Sequence, residues 1–282
     1  MSPQLRGVLW MSGAVLSFCG MAIAARELLR HMATFEILFF RTLLAWLIVL
    51  AVAWRTGFGA VRTRRFGVHL WRNAAHLVGQ ASWVFAIGAL PLATVFAIEF
   101  TMPVWVALLA ALFLGERMTR ERMVMLVLGL AGVIIILRPG FGFFEPAALV
   151  MLVGSLGFAV NMIGTKRLSS TDSPLSVLFW MSVIQTPVCL AVAAPVWVAP
   201  QPLDWPWLAA MGIGSYTAHY CLTRAMTQAD ASVVVPVDFF RLPLIALVGV
   251  AFYGEPFDPF VMLGAGLMFA GTYYSLTNKK PG

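Results

Sequence analysis

The sequence predicts an all-α polytopic membrane protein: ten transmembrane helices in an inverted 5+5 repeat around a central cavity, with both termini in the cytoplasm. Three observations predict it. Apolar runs recur along the whole chain, basic residues gather on alternate connections, and a 38-residue segment reappears one half-chain later. The composition agrees. Of 282 residues, 61% are hydrophobic and 11% are charged, against about 25% charged in a soluble domain.

The ten runs lie near 7–25, 33–53, 68–88, 92–113, 122–137, 146–165, 174–194, 205–223, 231–252 and 259–277. Crossing the hydrocarbon core takes about 20 apolar residues. The run at 122–137 is the shortest, and the one at 68–88 starts in a basic, polar stretch. The first run is read as a retained helix. Only Arg6 precedes it, and no small-residue cleavage site comes before Arg26. The connections are short, and the longest, 54–67, is basic, so no soluble domain is expected.

Orientation follows from the basic residues. One alternate set of connections holds fourteen Lys and Arg and the other holds Arg26, Arg30 and Arg138, with Arg41 and Arg241 inside spans. The positive-inside rule places the rich set, and both termini, in the cytoplasm. The net charge of +7 is thus a topology signal. Nucleic-acid binding is set aside, because these charges sit in short inter-helix loops. Cys19, Cys189 and Cys221 lie inside apolar spans at spacings that fit neither a zinc site nor a disulfide framework. No metal or cofactor is implied.

The repeat has an offset of 139. Ala107-Leu108, Phe113, Gly115-Glu116, Ala131-Gly132 and Leu137 match Ala246-Leu247, Phe252, Gly254-Glu255, Ala270-Gly271 and Leu276. Phe100, Met123 and Leu128 match Phe239, Met262 and Leu267, for eleven identities in 38 positions. The halves are 1–140 and 141–282. Each holds five spans, an odd number, so the second enters the membrane from the opposite side. Glu116 and Glu255 repeat at turns, where capping the next helix explains them without transport chemistry. The Ala-Gly pairs suit close helix packing, which puts the fifth and tenth spans at the bundle edge or in a dimer contact.

Polar residues inside spans are costly and mark functional candidates. The third span carries Asn73, His76, Gln80 and Trp83 on one face, and the eighth carries Tyr216, His219, Tyr220 and Thr223. Two such stripes are read as walls of one cavity. Glu99 lies in the fourth span, and Asp238 with Arg241 in the ninth. Asp238 and Arg241, at i and i+3, can neutralise each other. Glu99 has no partner in its own helix, and Arg41 and His76 are the candidates. A structural ion pair competes with substrate recognition and proton coupling as the role of these charges. Asn161 and Gln185 are weaker candidates. Pro103 and Pro243 stand at nearly equivalent places in the fourth and ninth spans, where interrupted helices point to a substrate site and a gate.

These residues form a known pattern. The segment Pro103–Glu116 (PVWVALLAALFLGE), the following GLAGVIII, the FFRTLLA segment around Arg41 and the looser second copy PLIALVGVAFYGE resemble the signature of the drug/metabolite transporter superfamily. Within it the chain is similar to EamA-type ten-helix exporters. The resemblance implies a 5+5 bundle with the fifth and tenth helices peripheral, and export of small metabolites, amino acids prominent among them. In the aromatic amino-acid exporters, residues comparable to His76, Gln80 and Trp83 line the pocket. Met102 stands where those exporters often have an aromatic residue, which counts against an aromatic substrate.

The resulting expectation is a secondary transporter in a bacterial-type inner membrane. It would export small amphipathic metabolites, foremost aromatic or hydrophobic amino acids, by alternating access. The candidate cavity residues are His76, Gln80, Trp83, Glu99, Asn161, Tyr216, His219, Tyr220, Asp238 and Arg241. A proton is a candidate coupling ion, and monomer and weak homodimer both stay open. The alternative is a proton-coupled exporter of lipophilic cations, which in related small transporters relies on a glutamate deep in the first helix; here the first acid is Glu27, at that helix's end. A membrane enzyme is disfavoured because no HExxH, GxSxG or paired-aspartate motif occurs. A non-transporting scaffold is the remaining different-class reading.

Overall fold

In the computed structural model, residues 2–113, 118–138 and 145–278 are described. Their regular structure is helical throughout. The helices are α1 (Pro3–Leu28), α2 (Thr34–Thr56), α3 (Phe66–Ala89), α4 (Leu92–Glu99), α5 (Met102–Phe113), α6 (Arg120–Leu137), α7 (Pro146–Leu168), α8 (Pro174–Ala193), α9 (Trp205–Gln228), α10 (Ala231–Phe239), α11 (Arg241–Tyr253) and α12 (Pro259–Thr277). Helix starts are written locally. Ser2, Thr119, Ser173 and Asp258 each accept a bond from a first-turn N–H, and Pro3, Pro174 and Pro259 sit where a missing N–H costs nothing. Gly254 ends α11 at φ +63°, a left-handed cap that favours glycine.

Among the described residues, seven segments are long and apolar enough to cross a membrane: α1, α2, α4–α5, α7, α8, α10–α11 and α12. The other three expected spans are helical but carry more polar or charged residues. The 24-residue helices α3 and α9 carry the polar stripes, and α6 opens with Arg120, Glu121 and Arg122. The fourth and ninth spans are each broken in two. Pro103 and Pro243 were expected to kink continuous helices. Instead the chain turns at Phe100-Thr101 and at Phe240, and each proline sits in the first turn of the second piece. There the ring removes no bond that a first turn would have made.

Packing follows the repeat. α1 lies on α9 and α7 on α3, while α2 pairs with α8 and α6 with α12. Exchanging the two halves of the sequence maps these pairings onto one another. Small residues permit the closest approaches, as expected where dispersion drives association in lipid. A Cβ on Gly157 of α7 would stand 2.7 Å from the Ala75 carbonyl of α3. At the α6–α12 contact, a Cβ on Gly132 would stand 2.6 Å from the Gly264 carbonyl, and one on Gly264 2.7 Å from the Gly132 carbonyl. The Ala131-Gly132 pair was expected to serve such packing, and Gly132 does so against Gly264. Gly271 packs on Met125 and Leu128.

Each end of the bundle is clasped by a histidine and an aspartate. In the α1–α2 connection, His31 lies 2.7 Å from Asp204, which precedes α9. In the α7–α8 connection, Asp172 lies 2.8 Å from His69, near the start of α3. The two links join corresponding elements of the two halves, with the residue types exchanged. Burial alone would raise the Asp172 carboxyl, but hydrogen bonds from His69, Thr63 and Thr171 together outweigh it and hold it below the usual carboxylate range. Asp204 is lowered against the same burial by His31 and the Gln201 N–H.

Two outcomes are expected. Gly264→Val should strain the α6–α12 contact by about 1–3 kcal/mol and lower the melting temperature of the detergent-solubilised protein. Gly266→Ala, whose Cβ would meet nothing within 4 Å, should not. Asp172→Asn should cost about 1–2 kcal/mol at pH 7. A carboxylate with a depressed folded pKa stabilises above its unfolded value of about 3.9, and that contribution is lost as pH falls through the folded pKa. The gap in melting temperature between wild type and Asp172→Asn should therefore close below about pH 4.

Candidate substrate site

The site begins at the two helix breaks. Glu99 ends α4 and Asp238 lies in the last turn of α10, and the two residues are equivalents at the 139-residue offset. Arg241 opens α11 and serves both. Its Nη1 donates to Glu99 Oε1 at 3.2 Å and its Nη2 to Asp238 Oδ2 at 2.9 Å. Glu99 Oε2 accepts from the indole N–H of Trp83 at 2.8 Å. Thus the partner of Glu99 is Arg241, from the other half, and neither Arg41 nor His76. The fourth and ninth spans face each other, which spacing within one helix could not show.

Aromatic rings enclose this charge cluster. The Arg241 guanidinium lies 4.7 Å from the centroid of Phe18, 5.0 Å from Phe100 and 5.7 Å from Phe96. Cation–π attraction adds about 0.5–2 kcal/mol per contact, depending on desolvation. Phe100 and Phe239, again equivalents at the repeat offset, stack with centroids 4.2 Å apart and planes 16° apart. The break at Phe100-Thr101 is anchored to α7, where Thr101 and Trp105 both reach the Ser155 hydroxyl, at 2.7 and 3.0 Å. With both acids ionised, the cluster of two carboxylates and one guanidinium carries an excess negative charge.

A second polar group lies among α2, α3, α8 and α9. Gln185 Nε2 donates to the Asn73 carbonyl at 3.2 Å and approaches His76 Nδ1 at 3.1 Å, and Gln80 Nε2 lies 2.8 Å from the same ring nitrogen. Arg41 donates to Ser215 Oγ at 2.8 Å, and Arg72 reaches Thr165 and Asn73. His219 Nδ1 donates to the Ser215 carbonyl at 2.8 Å, which leaves Nε2 as an acceptor. The Phe18 ring, 6.0 Å from the His219 ring and 4.7 Å from the Arg241 guanidinium, stands between this group and the acidic cluster.

Of the expected residues, His76, Gln80, Trp83, Glu99, His219, Asp238 and Arg241 fall into these two groups. Tyr216 stacks on Tyr220. Tyr220 itself is 45% exposed and meets the edge of Trp10, away from both groups. Asn161 is half-buried on α7 with its Oδ1 unpartnered. Around His76 the amides of Gln80 and Gln185 close on the ring, leaving His76 and Gln80 4% exposed. Hollows at the bundle ends include one against Pro91, Glu255 and Asp258 and one against Gln4 and Met226–Asp230.

Glu255 also departs from expectation. It was expected to cap the helix that follows it. Asp258 does that, and Glu255 instead accepts from the Leu92 N–H at the start of α4, at 2.8 Å, while pairing with Arg26 of α1 at 2.7 Å. Arg26 also donates to the Leu90 carbonyl. One carboxylate therefore ties α1, α4 and α11 together at one end. Glu116 lies outside the described residues. Sequence reasoning missed the aromatic box of Phe18, Phe96 and Phe100. It also missed that Glu99 and Asp238 align in the repeat, a match that a search for identities passes over because the residues differ by one methylene.

The EamA-like transporter family model matches residues 5–138 and again 145–277, and the chain belongs to that family. It is 25% identical over 280 residues to an S-adenosylmethionine uptake transporter of Rickettsia felis, covering 99% of this chain and 95% of the relative. It is 30% identical to a riboflavin transporter of Rhizobium johnstonii, covering 99% and 93%. It is 26% identical to the pseudopaline exporter CntI of Pseudomonas aeruginosa, covering 98% and 97%. A solved crystal structure superposes with a TM-score of 0.67 at 18% identity, over 96% of each chain, and so shares the fold. The protein is thus a polytopic membrane transporter and not an enzyme.

The charge cluster should be sensitive to its stoichiometry. Arg241→Leu leaves two carboxylates facing each other and should cost about 3 kcal/mol or more. Arg241→Lys should recover part of that, since it restores charge without the planar fork. Removing all three charges together, as Glu99→Gln, Asp238→Asn and Arg241→Leu, should bring the melting temperature in detergent back toward wild type.

Proposed function

We propose that this chain is a secondary transporter that moves a small, polar, ring-bearing metabolite by alternating access between two inverted five-helix halves, across a bacterial-type inner membrane with both termini inside. The observation that carries the reading is the acidic pair Glu99 and Asp238, one from each half, held at the two helix breaks by a shared arginine and walled by aromatic rings. A site built equally from both halves changes its exposure when the halves rock against each other. His76, Gln80, Trp83, Tyr216 and His219 complete the substrate site, the breaks before Pro103 and Pro243 serve as gates, and the Glu255–Arg26–Leu92 tie closes one end. The acidic pair is also the candidate site of a coupling proton.

The relatives bear on the cargo. Two are named for S-adenosylmethionine and riboflavin, compounds with fused heteroaromatic rings, and the named relatives include both uptake and export. Their names support a ring-bearing metabolite more broadly than aromatic amino acids, and they favour neither direction. The lipophilic-cation alternative has less support, since Arg241 already fills the aromatic box.

Proteoliposomes tested with radiolabelled riboflavin, S-adenosylmethionine, L-phenylalanine and a cationic dye, with and without a pH gradient, should show saturable counterflow of at least one ring-bearing metabolite. Trp83→Ala and Glu99→Gln should each lower that flux tenfold or more at unchanged protein content. Movement of the dye alone would overturn the reading.

A further inference from the structure

The two buried intramembrane arginines are treated differently. Arg241 has two carboxylates. Arg41 of α2 is 5% exposed, donates to the Ser215 hydroxyl, leaves its Nε without a partner, and has no carboxylate within ion-pair distance among the described residues. An arginine at mid-bilayer costs about 3 kcal/mol or more, and such residues are ordinarily paired or wet.

The residues around Arg41 share this condition. Asn73 Nδ2, Gln80 Oε1 and Gln185 Oε1 are buried without hydrogen-bond partners, on side chains no more than 4% exposed. Buried polar atoms are nearly always partnered, so several orphans on α2, α3 and α8 mark a place that something else completes. Arg72 adds a second cation that also lacks a carboxylate partner among the described residues. His219 turns its free Nε2 away from its own helix carbonyl. The orphan donors Arg41 Nε and Asn73 Nδ2, with the guanidinium charges of Arg41 and Arg72, call for an anion, whereas the orphan Gln80 and Gln185 oxygens call for an N–H or O–H donor beside it.

Resting on the transport reading above, we infer that the substrate carries a carboxylate and that this carboxylate docks on Arg41, between α2, α3, α8 and α9. The planar guanidinium fork matches a carboxylate edge-on through two N–H groups, and Ser215 holds the fork in place. The orphan Asn73 amide N–H lies among the same residues. Across the Phe18 ring, the excess negative charge of Glu99, Asp238 and Arg241 takes the substrate's cationic group or a coupling proton. The site is bipolar, with an aromatic spacer, and it selects zwitterions and ring-bearing carboxylates over amines.

Matched probes test this on the purified full-length protein: L-phenylalanine, 3-phenylpropionate, phenethylamine and phenyl phosphate, each at millimolar concentration, read by thermal stabilisation. The two carboxylates should stabilise wild type clearly more than phenethylamine, which meets only the acidic side of the site. Arg41→Gln should weaken carboxylate binding at least tenfold, and Arg41→Lys less. If Arg41→Gln does not fold, Ser215→Ala, which removes only the bond that positions the fork, should weaken the same binding severalfold while leaving the response to phenethylamine unchanged. Stabilisation by phenethylamine equal to that by 3-phenylpropionate, by phenyl phosphate alone, or by none of the carboxylates would overturn the inference. Riboflavin, which has no carboxylate, separates the two readings. Its counterflow through wild type without any carboxylate response leaves transport standing and this inference refuted, whereas no flux of any solute refutes transport itself.

Discussion

A charge buried away from water must find its counter-charge inside the protein, and most of this architecture answers that requirement. Glu99 and Asp238 arrive from different halves and are satisfied by one guanidinium. Their helices must therefore end within reach of each other, and both spans are broken where they meet. The rings of Phe18, Phe96 and Phe100 then line the cluster, which strengthens the ion pairs by excluding water. Farther out, glycine contacts and the His–Asp clasps hold the helices whose ends fix those positions.

The energetic character of the interior changes across the Phe18 ring. On one side two carboxylates share one guanidinium, and on the other Arg41 and three amides each have a buried polar atom without a partner. A lipid-embedded protein has weak hydrophobic drive between helices, so these polar contacts and small-residue packing decide which helices touch. The polar core among α2, α3, α8 and α9 is therefore also part of what packs these helices together.

Much of this was legible in the sequence. The apolar runs located the helices, the repeat aligned the fourth and ninth spans, and the stripes on α3 and α9 named His76, Gln80, Trp83 and His219 as polar residues inside helices. Pairing between distant helices was not legible, because period and spacing speak only within one helix. Glu99 was given Arg41 or His76 as partner when Arg241 holds it, and Glu255 was assigned to its own turn when it caps α4. Tyr220 shares a helical face with His219 yet points outward, since a face of nearly 100° spans both the core and the rim. The aromatic box was hidden for a simpler reason: phenylalanines in an apolar span carry no signal until a cation is known to lie against them.

The acidic cluster has a parity that bears on how such a site arises. Glu99 and Asp238 occupy equivalent positions, but the equivalent of Arg241 is Met102. An assembly of two identical subunits meets its own symmetry axis with every group in duplicate, so its formal charge there is always even. Two acids with two arginines would cancel, and two acids with none would leave a double charge that lipid tolerates poorly. Joining the halves in one polypeptide lets a single position diverge, and the centre then holds one unit of charge, the amount a monovalent ion or an ammonium group neutralises.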